Sequence, residues 1–171
     1  MKPLLLTMIF LISIPHMCAA VDAAHVEHVR GVIAELMEPA PNRSLSTDIE
    51  EQRTLAAEIV AASDEYQVDR TTLTLLAFLE SSFRTEAVGE ARQEIGILQL
   101  HGVALRGCPH DMTERAGQLR CGARWYRRCL DHCNGDERGA LTAYATGACH
   151  ARTEQIEQKI SARLRKIERW R

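Results

Sequence analysis

The residue best placed to do chemistry is Glu80. It closes an apolar run, with Leu75, Leu76, Ala77, Phe78 and Leu79 immediately before it and Phe83 shortly after. A carboxyl delivered by such a run must be paired, neutralised or used, because burial disfavours its charge. Desolvation favours the protonated carboxyl, which is the state a general acid near neutral pH requires. The competing reading is a helix-end glutamate that reaches solvent or caps a neighbouring backbone. Ser81 follows directly, and Gln99 lies at the far end of the same stretch, residues 75–100 (LLAFLESSFRTEAVGEARQEIGILQL).

The elements that must position Glu80 can be read from caps and periodicity. Asp69 is an N-cap, and Val68 with Leu73 can form a hydrophobic staple across it. From Arg70 a helix runs about three turns to Glu80 or Ser82 with little polar surface, which predicts a central element. Before it, Val26, Val29, Ile33, Leu36 and Met37 recur at helical spacing, and that helix ends before Pro39. Residues 39–48 (PAPNRSLSTD) form a linker, which would make the first helix an appendage. Thr47 or Asp48 caps a second helix over residues 49–66, with Leu55, Ile59, Val60 and Ala62 facing inward. A short helix over about 99–105 stops at Gly107-Cys108-Pro109, and a longer one runs from about 112 to 133. Asn134-Gly135-Asp136 turns the chain, and Asp136 caps the helix carrying Tyr144. Residues 154–170 are amphipathic, with Ile156, Ile160, Leu164 and Ile167 on one side. The arginines and lysines there read as a solvated face, with an anionic polymer or lipid surface as the rival. His101 is isolated and reads as a surface residue before it reads as a substrate contact.

A chain of 171 residues, 46% hydrophobic, suits one globular domain with a sizeable core. Five prolines and ten glycines beside abundant Ala, Leu, Glu and Arg favour helix. A net charge of −2 gives no signal for nucleic acid. Met1-Lys2, an apolar run over 4–14 and then Ala19, Ala20, Ala23 and Ala24 have the layout of a secretory signal peptide. We place the leader at 1–23, with cleavage after Ala20 or Ala23. Its apolar run is too short for a stable transmembrane helix. An uncleaved anchor is the rival, and lipidation at Cys18 lacks the leucine and small residues expected before it.

Export gives the remaining cysteines a purpose. Cys108, Cys121, Cys129, Cys133 and Cys149 are an odd set in an oxidising compartment, so one stays free or pairs between molecules. Cys108 sits in a turn just before the helix carrying Cys121, which pairs those two; Cys149 would join Cys133 or Cys129. A zinc site is disfavoured because the spacings lack C-x2-C pairs. No metal and no cofactor are expected.

Several motifs then fall in order. Glu80-Ser81, the loop Ala87-Val88-Gly89, the turn Gly96-Ile97-Leu98-Gln99 and the helix Ala140-Leu141-Thr142-Ala143-Tyr144-Ala145-Thr146-Gly147 resemble the soluble lytic transglycosylase (SLT) family. Residues 118–126 resemble that family's N-I-x-x-G-A-x-Y-L segment. The resemblance covers about 49–149, with departures at Gly89, where the family has serine, and Ala145, where it has asparagine. It implies a lysozyme-like, all-α fold with at most a minimal β element and a buried central helix carrying the catalytic glutamate. Residues 24–48 would be an N-terminal helix and linker, and 49–171 the catalytic domain.

The same resemblance implies roles. Glu80 is the acid and then the base, while Ser81, Gln99 and Tyr144 bind or orient substrate. Trp125 and Tyr126 pack behind the groove rather than forming a sugar platform. The implied partner is the glycan strand of peptidoglycan, cut between N-acetylmuramic acid and N-acetylglucosamine in the periplasm or outside the cell. A cell-envelope machine is left open as a second partner. Two alternatives stand. One is a lysozyme-type hydrolase, for which Glu86, Glu90 or Glu94 would supply a second carboxylate. The other is a catalytically silent peptidoglycan-binding accessory protein. Glu94 reads first as loop support.

Overall fold

Five of the helices begin at a side-chain oxygen that takes up backbone N–H groups left free by the first turn. Asp22, Asp48, Asp69, Asp136 and Thr153 accept from Ala24, Glu50, Thr72, Arg138 and Gly139, and Ile156 respectively. The computed structural model describes residues 21–38, 48–89 and 93–171. Most of the expected leader, most of the linker and Glu90 lie outside the described residues.

Seven helices are described: α1 (Ala23–Met37), α2 (Ile49–Tyr66), α3 (Arg70–Ser81), α4 (Gly102–Arg106), α5 (Arg115–His132), α6 (Glu137–Thr146) and α7 (Glu154–Trp170). Among the described residues there is no sheet; the chain makes two isolated bridges, Val88 with Ile95 and Ile95 with Leu100. The all-α class expected from composition and periodicity is the one observed. No described helix is long and apolar enough to cross a membrane.

Helix α3 is the centre of the packing. Leu73, Leu75, Leu76 and Ala77 are fully buried, and α1, α2 and α7 all pack against it. Val26, Val29 and Ile33 of α1 belong to the same buried cluster as Leu55 and Ile59 of α2, so α1 joins this core. Helix α5 lies across α2 and α6, burying Leu119, Ala123 and Tyr126.

Two disulfides fasten the second half. Cys108 joins Cys121, which ties the end of α4 to α5, and Cys133 joins Cys149, which brackets α6. Both fit an exported protein. Cys129 stays free and buried, and desolvation pushes its thiol up to about 12.

Three sequence expectations need correcting. The short helix starts at Gly102, not near Gln99, because Gln99 takes a left-handed conformation (φ 47°) and Leu100 pairs back to Ile95. Helix α5 starts at Arg115, because Asp111 accepts from the N–H and hydroxyl of Thr113 and holds that segment as a turn. The third concerns α7. Ile160 and Ile167 are buried as its periodicity predicts, but Arg163 is buried with them. It lies on the apolar stripe, three residues after Ile160 and four before Ile167.

Candidate active site

The end of α3 is shaped by its last residues. Ser82 and Phe83 both take left-handed backbone (φ 57° and 65°), which L side chains adopt at some cost. Their N–H groups close the helix onto the Phe78 and Ala77 carbonyls, at 2.8 and 3.3 Å. Glu80 leaves the helix one residue before its final position, with its side chain 20% exposed. That exposure is enough to meet a ligand while most of the carboxyl's surroundings are protein.

Ser81 points the other way. Its hydroxyl is buried, donates to the Ile97 carbonyl at 2.8 Å and accepts from the Arg84 N–H at 3.0 Å. It fastens the glutamate-bearing turn to residues 96–99 and makes no hydrogen bond to the Glu80 carboxyl.

The 96–99 turn is held from behind by Gln118 on α5, which is 3% exposed. The Gln118 carbonyl oxygen accepts from Ile97 N–H at 2.8 Å, and its amide donates to the carbonyls of Met112 (2.9 Å) and Thr85 (3.2 Å). This explains Gly96. Its φ is 79°, and a Cβ there would come within 2.3 Å of the Gln118 side-chain oxygen. Gly122 serves the same packing, since a Cβ there would lie 2.0 Å from Leu98 Cδ1. Helix α5 therefore lies directly against the turn.

Tyr144 on α6 secures the turn from the front. Its hydroxyl donates to the Leu98 carbonyl at 2.7 Å. Burial pushes this phenol well above its ordinary value, and the nearby Glu80 carboxylate pushes it further, so Tyr144 remains a donor. Tyr144→Phe would leave the Leu98 carbonyl without that donor. We expect a loss of about 1–2 kcal/mol in urea unfolding, with the helical far-ultraviolet spectrum retained.

Gln99 turns its amide inward, donating to the carbonyls of Gly96 (2.9 Å) and Ala87 (3.2 Å). Its oxygen lies beside Gly89, together with the Glu94 carboxylate. A Cβ on Gly89 would meet Glu94 Oε2 at 2.2 Å and Gln99 Oε1 at 2.7 Å. The space that a serine side chain would need is thus filled by Glu94 and Gln99. Glu86, by contrast, is exposed.

The unexpected arrival is Arg163. Its Nη2 donates to Glu80 Oε1 at 2.7 Å, and its side chain is only 6% exposed. The sequence leads to an apolar surround for Glu80; the structure adds a buried cation to it. Hydrogen bonds between two charged groups are the stronger kind.

A cleft of about 280 Å³ opens on the far side of Tyr144, lined also by His101, Val103, Trp125 and Thr146. His101 is exposed and Val103 is an exposed apolar residue, so this wall is accessible. Tyr126 is buried in the core as expected, but Trp125 is a wall of the cleft. Its indole also lines a neighbouring hollow of about 200 Å³, with the Arg128 guanidinium 5.7 Å from the ring. A larger cavity, about 490 Å³, lies elsewhere, among Asp136, Arg138, His150 and Glu157. Among the described residues, no three His, Cys, Asp or Glu side chains gather as a metal site needs.

Glu80, Arg163 and Tyr144 therefore meet where α3, α6 and α7 converge, with the 96–99 turn behind them. Ser81 and Gln99 support that turn. The contact of Arg163 with Glu80 and the place of Trp125 on the cleft wall are what sequence reasoning missed. The helical register of Arg163 with Ile160 and Ile167 was the signal that could have revealed it.

A search of curated proteins and a search of solved structures each returned no match. A family model described as the transglycosylase SLT domain matches residues 58–165, from within α2 to within α7. That span takes in Glu80, the 96–99 turn, Tyr144 and Arg163. The chain therefore belongs to the transglycosylase SLT family.

Proposed function

We propose that the protein is a peptidoglycan lytic transglycosylase. It cleaves the β-1,4 bond between N-acetylmuramic acid and N-acetylglucosamine and leaves a 1,6-anhydro ring on the muramic acid. The observation that carries this reading is Glu80, a part-exposed carboxyl at the end of a buried helix, inside the matched segment and beside Tyr144.

The chemistry needs only one protein carboxyl because the substrate provides the second group. Protonated Glu80 gives its proton to the glycosidic oxygen as the bond from that oxygen to C1 of the muramic acid breaks. The acetamido carbonyl oxygen of the same sugar stabilises the positive charge developing at C1. Glu80, now a carboxylate, takes the proton of the 6-hydroxyl as O6 bonds to C1. The proton balance on Glu80 closes, and no water is consumed. Tyr144 and Gln99 hold the 96–99 turn that forms one side of the saccharide site, and Ser81 fixes the turn of helix from which Glu80 projects. Trp125 and His101 line the cleft that Tyr144 also walls, where an indole suits the apolar face of a sugar.

The hydrolytic alternative needs a second carboxylate facing a water across the sugar. Of the described candidates, Glu86 is exposed, and the Glu94 carboxylate is packed over Gly89 beside Gln99. That placement favours loop support. Export is part of the proposal. Cleavage after Ala20 would leave Asp22 in place to cap α1, whereas cleavage after Ala23 would remove it.

Mass spectrometry of soluble products from purified peptidoglycan tests the reading. Anhydro-muropeptides, each one water lighter than the reducing form, are the expected result. Reducing-end muropeptides would establish a hydrolase, and wall binding with no release would establish an accessory protein.

A further inference from the structure

The basic residues of α7 divide into two kinds. Arg165, Lys166 and Arg169 are exposed, as on an ordinary amphipathic helix. Arg163 is 5% exposed and lies on the stripe occupied by Ile160 and Ile167. One of its amino groups, Nη2, grips Glu80 Oε1 at 2.7 Å. The other, Nη1, is equally buried and has no hydrogen-bond partner.

This arrangement is poor design for stability. Desolvating a guanidinium is expensive, one hydrogen bond to a carboxylate offsets it only in part, and an unpartnered Nη1 adds to the deficit. A methionine or leucine at this position of the stripe would pack without any of these costs. A cation placed there against such a gradient, with its single contact on the one carboxyl suited to acid–base work, has its explanation in that carboxyl.

We propose that Arg163 is the positioning residue for Glu80. Its single-pronged grip fixes the carboxyl through Oε1 and leaves Oε2 as the atom that faces the glycosidic oxygen and later the 6-hydroxyl. The proposal rests on the transglycosylase reading. Among the described residues, Arg163 of α7 pairs with Glu80, and Tyr144 of α6 lies close enough for the Glu80 carboxylate to raise its phenol.

Arg163→Met keeps the length and apolar fit of the side chain and removes the charge; Arg163→Lys keeps a charge that can reach Glu80. Initial rates of anhydro-muropeptide release from soluble uncrosslinked glycan strands, with thermal melting of each variant, read the effect. A positioning role predicts that Arg163→Met lowers kcat by at least about tenfold with KM within about threefold, and that Arg163→Lys recovers a clear part of that loss. A folded Arg163→Met with kcat within about threefold of the parent overturns the proposal. So does a pair of variants whose activity falls only in proportion to the fraction unfolded. A parent protein that forms no anhydro product overturns the transglycosylase reading instead. In that case a double-mutant cycle in melting between Glu80→Gln and Arg163→Met still reads the grip, and zero coupling rules it out.

Discussion

Glu80→Gln should abolish anhydro-muropeptide release while leaving a folded protein. The amide neither donates a proton to the glycosidic oxygen nor accepts one from the 6-hydroxyl, so both steps fail together. General acid–base catalysis contributes on the order of 10²–10⁴-fold for one transfer, and a residue serving two transfers should sit at the upper end or beyond. The fold should survive because the glutamine oxygen still accepts from Arg163 Nη2, and the α3 turn beneath it is held by Ser81 and the Ser82 cap. The Arg163 cation nevertheless loses its counter-charge in a buried place. A melting temperature a few degrees below the parent, equivalent to roughly 1–3 kcal/mol, should accompany the loss of activity. Activity within tenfold of the parent would remove Glu80 from the chemistry.

Gln118→Leu should be the most damaging substitution away from Glu80. The leucine matches the size of the glutamine and satisfies none of its three partners. Ile97 N–H, Met112 carbonyl and Thr85 carbonyl would each lose a bond from a side chain that is 3% exposed. At about 1–3 kcal/mol for each stranded group, partly relieved by water, the expected loss is roughly 3–5 kcal/mol, a large share of a typical domain's stability. Urea unfolding measures it. The three groups belong to three different segments: the loop after α3, the 96–99 turn and the approach to α5. Their release should therefore also loosen the turn that carries Leu98 and Gln99, and product release should fall with it. A stability change below about 1 kcal/mol would mean that the turn is held mainly by Tyr144 and Ser81.

Much of this was legible in the chain. Asp69 capping, the apolar face of α3 and the amphipathic pattern of α7 are local, and each fell where periodicity and cap chemistry put it. Glu80 stood out because a carboxylate at the end of so apolar a run must be paired, neutralised or used, and the motifs that follow it favoured use. What escaped was non-local. Nothing in the pattern of α7 says that Arg163 meets a carboxylate 83 positions earlier. A basic residue in an amphipathic helix is ordinarily solvated, and only its register on the stripe argued otherwise. Gln99 was expected in a helix, but the turn's bridge from Leu100 to Ile95 and its left-handed backbone prevailed over local propensity. Trp125 was assigned to the core by the segment it belongs to. Two hollows flank it, because α6 stops at Gly147 and leaves that side of the indole uncovered. The glycine at position 89 was visible as a departure, yet its meaning needed the Glu94 and Gln99 side chains that fill the space above it.

The pairing of Glu80 with α7 also has a consequence for the order in which the molecule is made. The segment with the recognisable signature leaves the ribosome well before residue 163 does. Until α7 docks, α3 ends in a glutamate without the Arg163 guanidinium beside it. If Arg163 positions Glu80 as proposed, competence then arrives with α7 rather than with the signature. A product clipped between Cys149 and Arg163 would carry every familiar motif, bracket α6 with its disulfide and still lack the partner of Glu80.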